Sequence, residues 1–151
     1  MSATGRRRKS RELAMQMLFQ KDVGAQDADH VRRVFWETRE DVDADTRGFS
    51  EDLFRMATSR EEEIDRLIQS HSVNWRLSRM PAVDRNLLRA ATAELLGFPD
   101  TAAAVVIDES LEIARRYSTP ESINFLNGVL DSISREIRPS LPPRSGKRTG
   151  I

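Results

Sequence analysis

The stretch 80-MPAVDRNLLRAATAELLGFP-99 decides the fold class. Its apolar residues Met80, Val83, Leu87, Ala91 and Leu95 recur at three- and four-residue spacing, the period of one helix face. Pro81 suits a first helical turn, and Gly97-Phe98-Pro99 is a stop. Outward from this helix, the same period repeats. Leu13, Ala14, Met17 and Leu18 share a face of a first helix expected over about Lys9 to Val23. Val31, Val34 and Phe35 mark a second helix, and Phe49, Leu53, Met56 and Ala57 mark a third beyond the acidic EDVDAD linker. Ser59 and three glutamates open a fourth carrying Ile64, Leu67 and Ile68; those acids suit the positive end of a helix dipole. A sixth helix carries Ala103, Ile107, Ser110, Leu111, Ala114 and Tyr117. In STPES, Thr119 caps the seventh, Pro120 enters its first turn, and Ile123, Leu126, Leu130, Ile133 and Ile137 follow. No segment has strand periodicity. The expectation is an all-α, single-domain bundle of about seven helices over residues 9–137, preceded by a basic arm at 1–8.

Composition narrows the function classes. The 151 residues are neutral overall and contain no cysteine, which excludes disulfides, thiolate metal sites and thiol nucleophiles. No apolar run is long enough for a membrane span, and the basic start does not lead into a signal sequence. The reading is a soluble, cytoplasmic chain. Neutrality hides an asymmetry. Nine of the 24 cations lie in residues 1–11 and 138–151, and all 24 acids lie between, so residues 12–137 carry a net charge of −9. Such a body attracts polyanions only through its ends. The final run PSLPPRSGKRTGI, rich in Pro, Gly and Ser, reads as a disordered basic tail over 138–151.

Several residues do not fit a simple core. With Ile123 at zero, Phe125 falls at about 200° on the last helical wheel, near Glu121 at about 160° and away from the stripe. An aromatic near cations suits stacking on unpaired RNA bases; the competing reading is a second packing face. Met15 and Phe19 form a second strip on the first helix beside Arg8, either core or contact surface. Asp84 and Glu94 border the fifth-helix stripe about 15 Å apart, which favours ion pairs or a partner surface over an acid/base pair. Asn127 falls within the last stripe and is expected to satisfy buried backbone groups. His30 and His71 read as surface or cap residues. No phosphate loop, nucleophile elbow or zinc-protease signature occurs. Neither metal nor cofactor is implied.

Four segments together resemble the NusB family of bacterial transcription antitermination factors. They are RRRKSRELAMQMLFQ (6–20), NWRLSRMPAVDRNLLRAATAELL (74–96), VVIDESLEIARRYS (105–118) and ESINFLNGVLDSI (121–133). Residues 24–73 match only in helical character, and Ile107-Asp108-Glu109-Ser110 stands where INEA is frequent. The resemblance implies an all-helical, non-enzymatic protein that binds the boxA element of nascent RNA together with the small-subunit ribosomal protein NusE. That pair joins other Nus factors on RNA polymerase, notably in ribosomal RNA operons. Carried over by position, the arginine-rich motif falls on Arg7, Arg8, Lys9 and Arg11, and further RNA contacts fall on Tyr117, Glu121 and Phe125. Glu121 stands where aspartate is frequent. Asp84 and Phe19 fall on the surface for the ribosomal protein. Some relatives dimerise and others do not, so a homodimer stays open. Two alternatives also stay open: an RNA-binding module like the N-terminal domain of ribosomal RNA cytosine methyltransferases, and a protein-interaction adaptor without sequence-specific RNA binding.

Overall fold

The computed structural model describes residues 3–139. Seven α-helices follow in order: α1 (Ala3–Val23), α2 (Ala28–Val34), α3 (Ala44–Ser59), α4 (Glu61–Ser70), α5 (Ala82–Gly97), α6 (Ala103–Ala114) and α7 (Pro120–Ile137). Single 3-10 turns lie at Phe35–Thr38 and Leu77–Arg79, and no strand occurs among the described residues. The starts are chemically marked. Asp27, Asp43 and Thr119 each accept a hydrogen bond from the backbone N–H three residues on, at His30, Thr46 and Ser122, satisfying donors that the helix itself leaves unpaired.

The helix read first, α5, is the hub. It packs against α1, α3, α4, α6 and α7. Leu87, Leu88, Ala90, Ala91, Ala93 and Leu95 are all buried, so its apolar character extends well beyond one stripe, as a central helix requires. Its alanines let neighbours approach closely. At Gly97 the approach of α3 is closer still, since a Cβ there would lie 2.4 Å from Cε of Met56. Three helices are tied together at one end of α5. The Asp22 carboxylate of α1 accepts from Arg85 (2.6 Å), Asn86 (2.9 Å) and Arg89 (3.0 Å), while Arg89 also reaches Asp65 of α4 at 2.9 Å.

Several expectations are revised here. Helix α1 starts at Ala3, so the expected arm at 1–8 is helical from its third residue. Ala3–Val23 holds no proline, and two buried serine bonds fasten this end to α3: Ser10 Oγ donates to the Thr46 carbonyl at 2.8 Å and Ser50 Oγ to the Ser10 carbonyl at 3.1 Å. Arg8, Lys9 and Arg11 therefore sit beyond the first turn, where a cation no longer opposes the helix dipole. Met15 belongs to the main core, but Asn127 is exposed. The buried arc of α7 runs through Leu126, Val129, Leu130, Ile133 and Ser134, which centres it away from Asn127 and brings Phe125 to its flank.

Arg138, counted with the tail, is a structural residue. Its guanidinium donates to four carbonyls around the C-terminal end of α5: Leu95 (2.9 Å), Thr101 (2.5 Å), Phe98 (2.9 Å) and Glu94 (3.4 Å). A cation there meets the unsatisfied, negative end of the helix. The remainder of the expected tail, 140–151, lies outside the described residues.

Candidate nucleic-acid interface

The cations of α1 divide into two kinds. Arg7 and Arg8 are exposed and Lys9 is half-buried. Arg7 lies over Phe49, its guanidinium carbon 3.9 Å from the ring centroid, a cation–π contact that fixes the side chain while leaving its charge at the surface. Arg8 grips Glu109 of α6 with two parallel bonds, 2.8 and 3.0 Å. That hydrogen bond raises the Arg8 pKa and holds the Glu109 carboxyl below its ordinary value. With 44% of its side chain exposed, Arg8 is oriented rather than hidden. Arg11 corrects the expectation of a surface cation. It is 5% exposed, and both prongs of its guanidinium go to the buried carboxylate of Glu94.

Residues at four-residue intervals on α1 continue the line from Arg8. Glu12 is buried and accepts from Arg116 at 3.0 Å and from the Tyr117 hydroxyl; Gln16 Nε2 donates to that hydroxyl at 3.2 Å. Burial and the neighbouring Glu12 push the Tyr117 hydroxyl pKa up, so it remains a donor. The residue as a whole stays 41% exposed. Arg8, Glu12 and Gln16 thus form one ridge that holds the end of α6 against α1. Reading the sequence for surface cations overlooked Glu12 and Glu109; the available signal was an acid standing within or beside an apolar stripe.

From Tyr117 the surface passes to α7 through the adjoining loop. Ser118 Oγ donates to Asp84. Asp84 is 3% exposed, so this carboxylate is a buried tie between α5 and the α6–α7 loop and not the open partner surface expected of it. Beside it lies an apolar groove of about 470 Å³ lined by Trp75, Met80, Pro81, Glu121 and Phe125, among others. Phe125 is half-buried against the core and meets Trp75 edge to face, centroids 6.2 Å apart. Phe125 therefore packs inward, as the reading of a second packing face expects, and still borders the groove. Glu121 is exposed, and Phe19 is half-buried on α1. Trp75 lies in a loop without periodicity, so no pattern in the sequence marks it. No cluster of three or more metal-binding side chains occurs among the described residues.

Exposed cations on α1, two aromatic rings and the Glu121 carboxylate are what these elements offer a ligand. The sequence profile of the NusB family matches residues 8–135. The chain belongs to the NusB family. It is 61% identical to the transcription antitermination protein NusB of Koribacter versatilis (strain Ellin345) over 134 residues, covering 89% of this chain and 92% of that protein. Among solved structures, T. maritima NusB superimposes with a TM-score of 0.79 at 36% identity, over 88% of this chain and 93% of the other. The NusB-like chain in a crystal structure of antitermination factors NusB and NusE in complex with dsRNA gives 0.79 at 24% identity, over 87% and 97%, a likeness of fold. The NusB match begins at Arg8 and contains Tyr117, Glu121 and Phe125. No helix among the described residues is long and apolar enough to cross a membrane.

Proposed function

We propose that this NusB-family protein is a cytoplasmic transcription antitermination factor without catalytic activity. It binds boxA-type RNA jointly with the small-subunit ribosomal protein NusE, and through that complex engages other Nus factors and RNA polymerase. The observation that carries the reading is the ridge that joins Arg8 to Tyr117 through Glu12, with the Phe125 groove beyond it. Arg7, Arg8 and Lys9 hold phosphates, Tyr117 and Phe125 stack on bases, and Glu121 accepts from base amino groups. Arg11 contributes indirectly by fixing α1 on α5. Phe19 remains the residue assigned to the protein partner, and Asp84 supports that region from within.

Phosphate contacts and base contacts are separable by experiment. Arg8→Ala should weaken all RNAs about equally and flatten the salt dependence, since each phosphate contact releases counterions. Phe125→Ala should weaken boxA-type RNA by about 1–3 kcal/mol. A folded Phe125→Ala protein with unchanged affinity would refute the stacking role.

A further inference from the structure

Trp75 is 56% exposed, yet its backbone is fixed on both sides. Its N–H donates to the Ser72 carbonyl at 2.9 Å, and its own carbonyl accepts from Gln69 Nε2 at 2.8 Å. The same Gln69 amide accepts from the Leu77 N–H at 2.9 Å, and the buried Ser72 hydroxyl donates to the Ile68 carbonyl at 2.6 Å. The loop after α4 is thus pinned while its indole stands in water. Ordering an aromatic in advance removes part of the entropic cost of binding a planar ligand.

The surroundings specify that ligand. Trp75 meets Phe125 at 6.2 Å with the rings inclined by 64°, so the pair offers a stacking face and an edge wall rather than a closed stack. The groove beside them is lined by exposed Arg79 and exposed Glu121. An apolar peptide side chain would need neither charge. A nucleotide uses both, its phosphate meeting the cation and its exocyclic amino group meeting the carboxylate. Asp84 lines the groove and accepts from Ser118, the residue that follows Tyr117.

We propose that this groove seats one unpaired base of the bound RNA, a base bearing an exocyclic amino group, with Trp75 as its main stacking face. This rests on the RNA-binding reading and adds a residue and a base class to it. Arg79 holds the adjoining phosphate, and Gln69 acts as a positioning residue for the indole.

The two tryptophans make the test specific, because Trp36 is buried at 4% exposure. Fluorescein-labelled single-stranded boxA-type RNA is titrated with the ribosomal protein present, following both RNA anisotropy and, with unlabelled RNA, tryptophan emission. Emission should be quenched in step with binding, and Trp75→Phe should lose that quenching. Trp75→Ala, checked for native circular dichroism, should bind roughly tenfold more weakly, within the range of about 5- to 150-fold for lost base stacking. One abasic nucleotide should weaken the wild-type protein similarly and add little to Trp75→Ala. Binding of RNA with unchanged emission, and with equal affinity for Trp75→Ala, would overturn the base seat while leaving the RNA reading intact. Weaker capture of the ribosomal protein by Trp75→Ala without RNA would also overturn it, marking a protein contact instead. Absence of RNA binding by the wild-type protein would overturn both.

Discussion

Arg11 and Glu94 form a buried two-pronged ion pair, Nε to Oε1 at 2.7 Å and Nη2 to Oε2 at 2.8 Å, that fastens α1 to α5. Removing one partner leaves an uncompensated charge in the core. Arg11→Ala and Glu94→Ala should each destabilise the protein by about 3–5 kcal/mol, whereas the apolar pair Arg11→Met with Glu94→Leu should be far milder. Urea midpoints of the three variants check this. Equal damage from the double and single changes would show that the charges themselves are required.

Asp22 sets an acid limit. Burial alone would raise its carboxyl pKa, but hydrogen bonds from Arg85 and Asn86 and the charges of Arg85 and Arg89 outweigh burial and lower it. A carboxyl depressed in the folded state contributes stability above its unfolded pKa of about 4 and loses it as pH falls through the folded value. Asp22→Asn should therefore be less stable than wild type at pH 7, with the gap closing below about pH 4. Denaturant unfolding across that range measures the gap.

Arg138→Ala should leave carbonyls at the end of α5 without their donor and lower stability by about 2 kcal/mol, the scale of a charged hydrogen-bond contribution. That corresponds to about 4–8 °C in Tm for a chain of this size. Arg138→Lys should recover little, because an ammonium lacks the planar fork. Thermal unfolding decides.

The end of α1 offers a stabilising change. Gln26 N–H bonds to the Lys21 carbonyl at 3.1 Å and Ala25 N–H to that of Asp22 at 3.3 Å, a paired helix stop in which Ala25 adopts φ 51°. That left-handed position favours glycine over a residue with a Cβ. Ala25→Gly should raise stability by about 0.5 kcal/mol after allowance for the greater freedom of glycine when unfolded. An unchanged or lower urea midpoint would contradict it.

The helices were legible because each carries a long apolar period and often a marked start, as at Thr119 and Pro120. The cations were legible as charge and not as environment. Nothing local distinguishes Arg8, which remains exposed, from Arg11, three residues on, because the difference lies in Glu94, distant in sequence. Asp84 and Arg138 misled for the same reason: their partners Ser118 and the α5 carbonyls meet them only in three dimensions. Phe125 stands off the Ile123 stripe on the wheel, which does not show that Val129 carries the buried arc to its flank, and Trp75 sits in a pinned loop where no period exists to violate.

The central claim is RNA recognition shared with a ribosomal protein. Its most direct measurement is a titration of labelled boxA-type RNA against a scrambled RNA of equal length, at fixed salt, with and without NusE. The account predicts tighter binding to the boxA-type sequence, strengthened further by NusE and weakened as salt rises. Equal affinity for both RNAs with NusE present would contradict it and leave the fold as a protein adaptor.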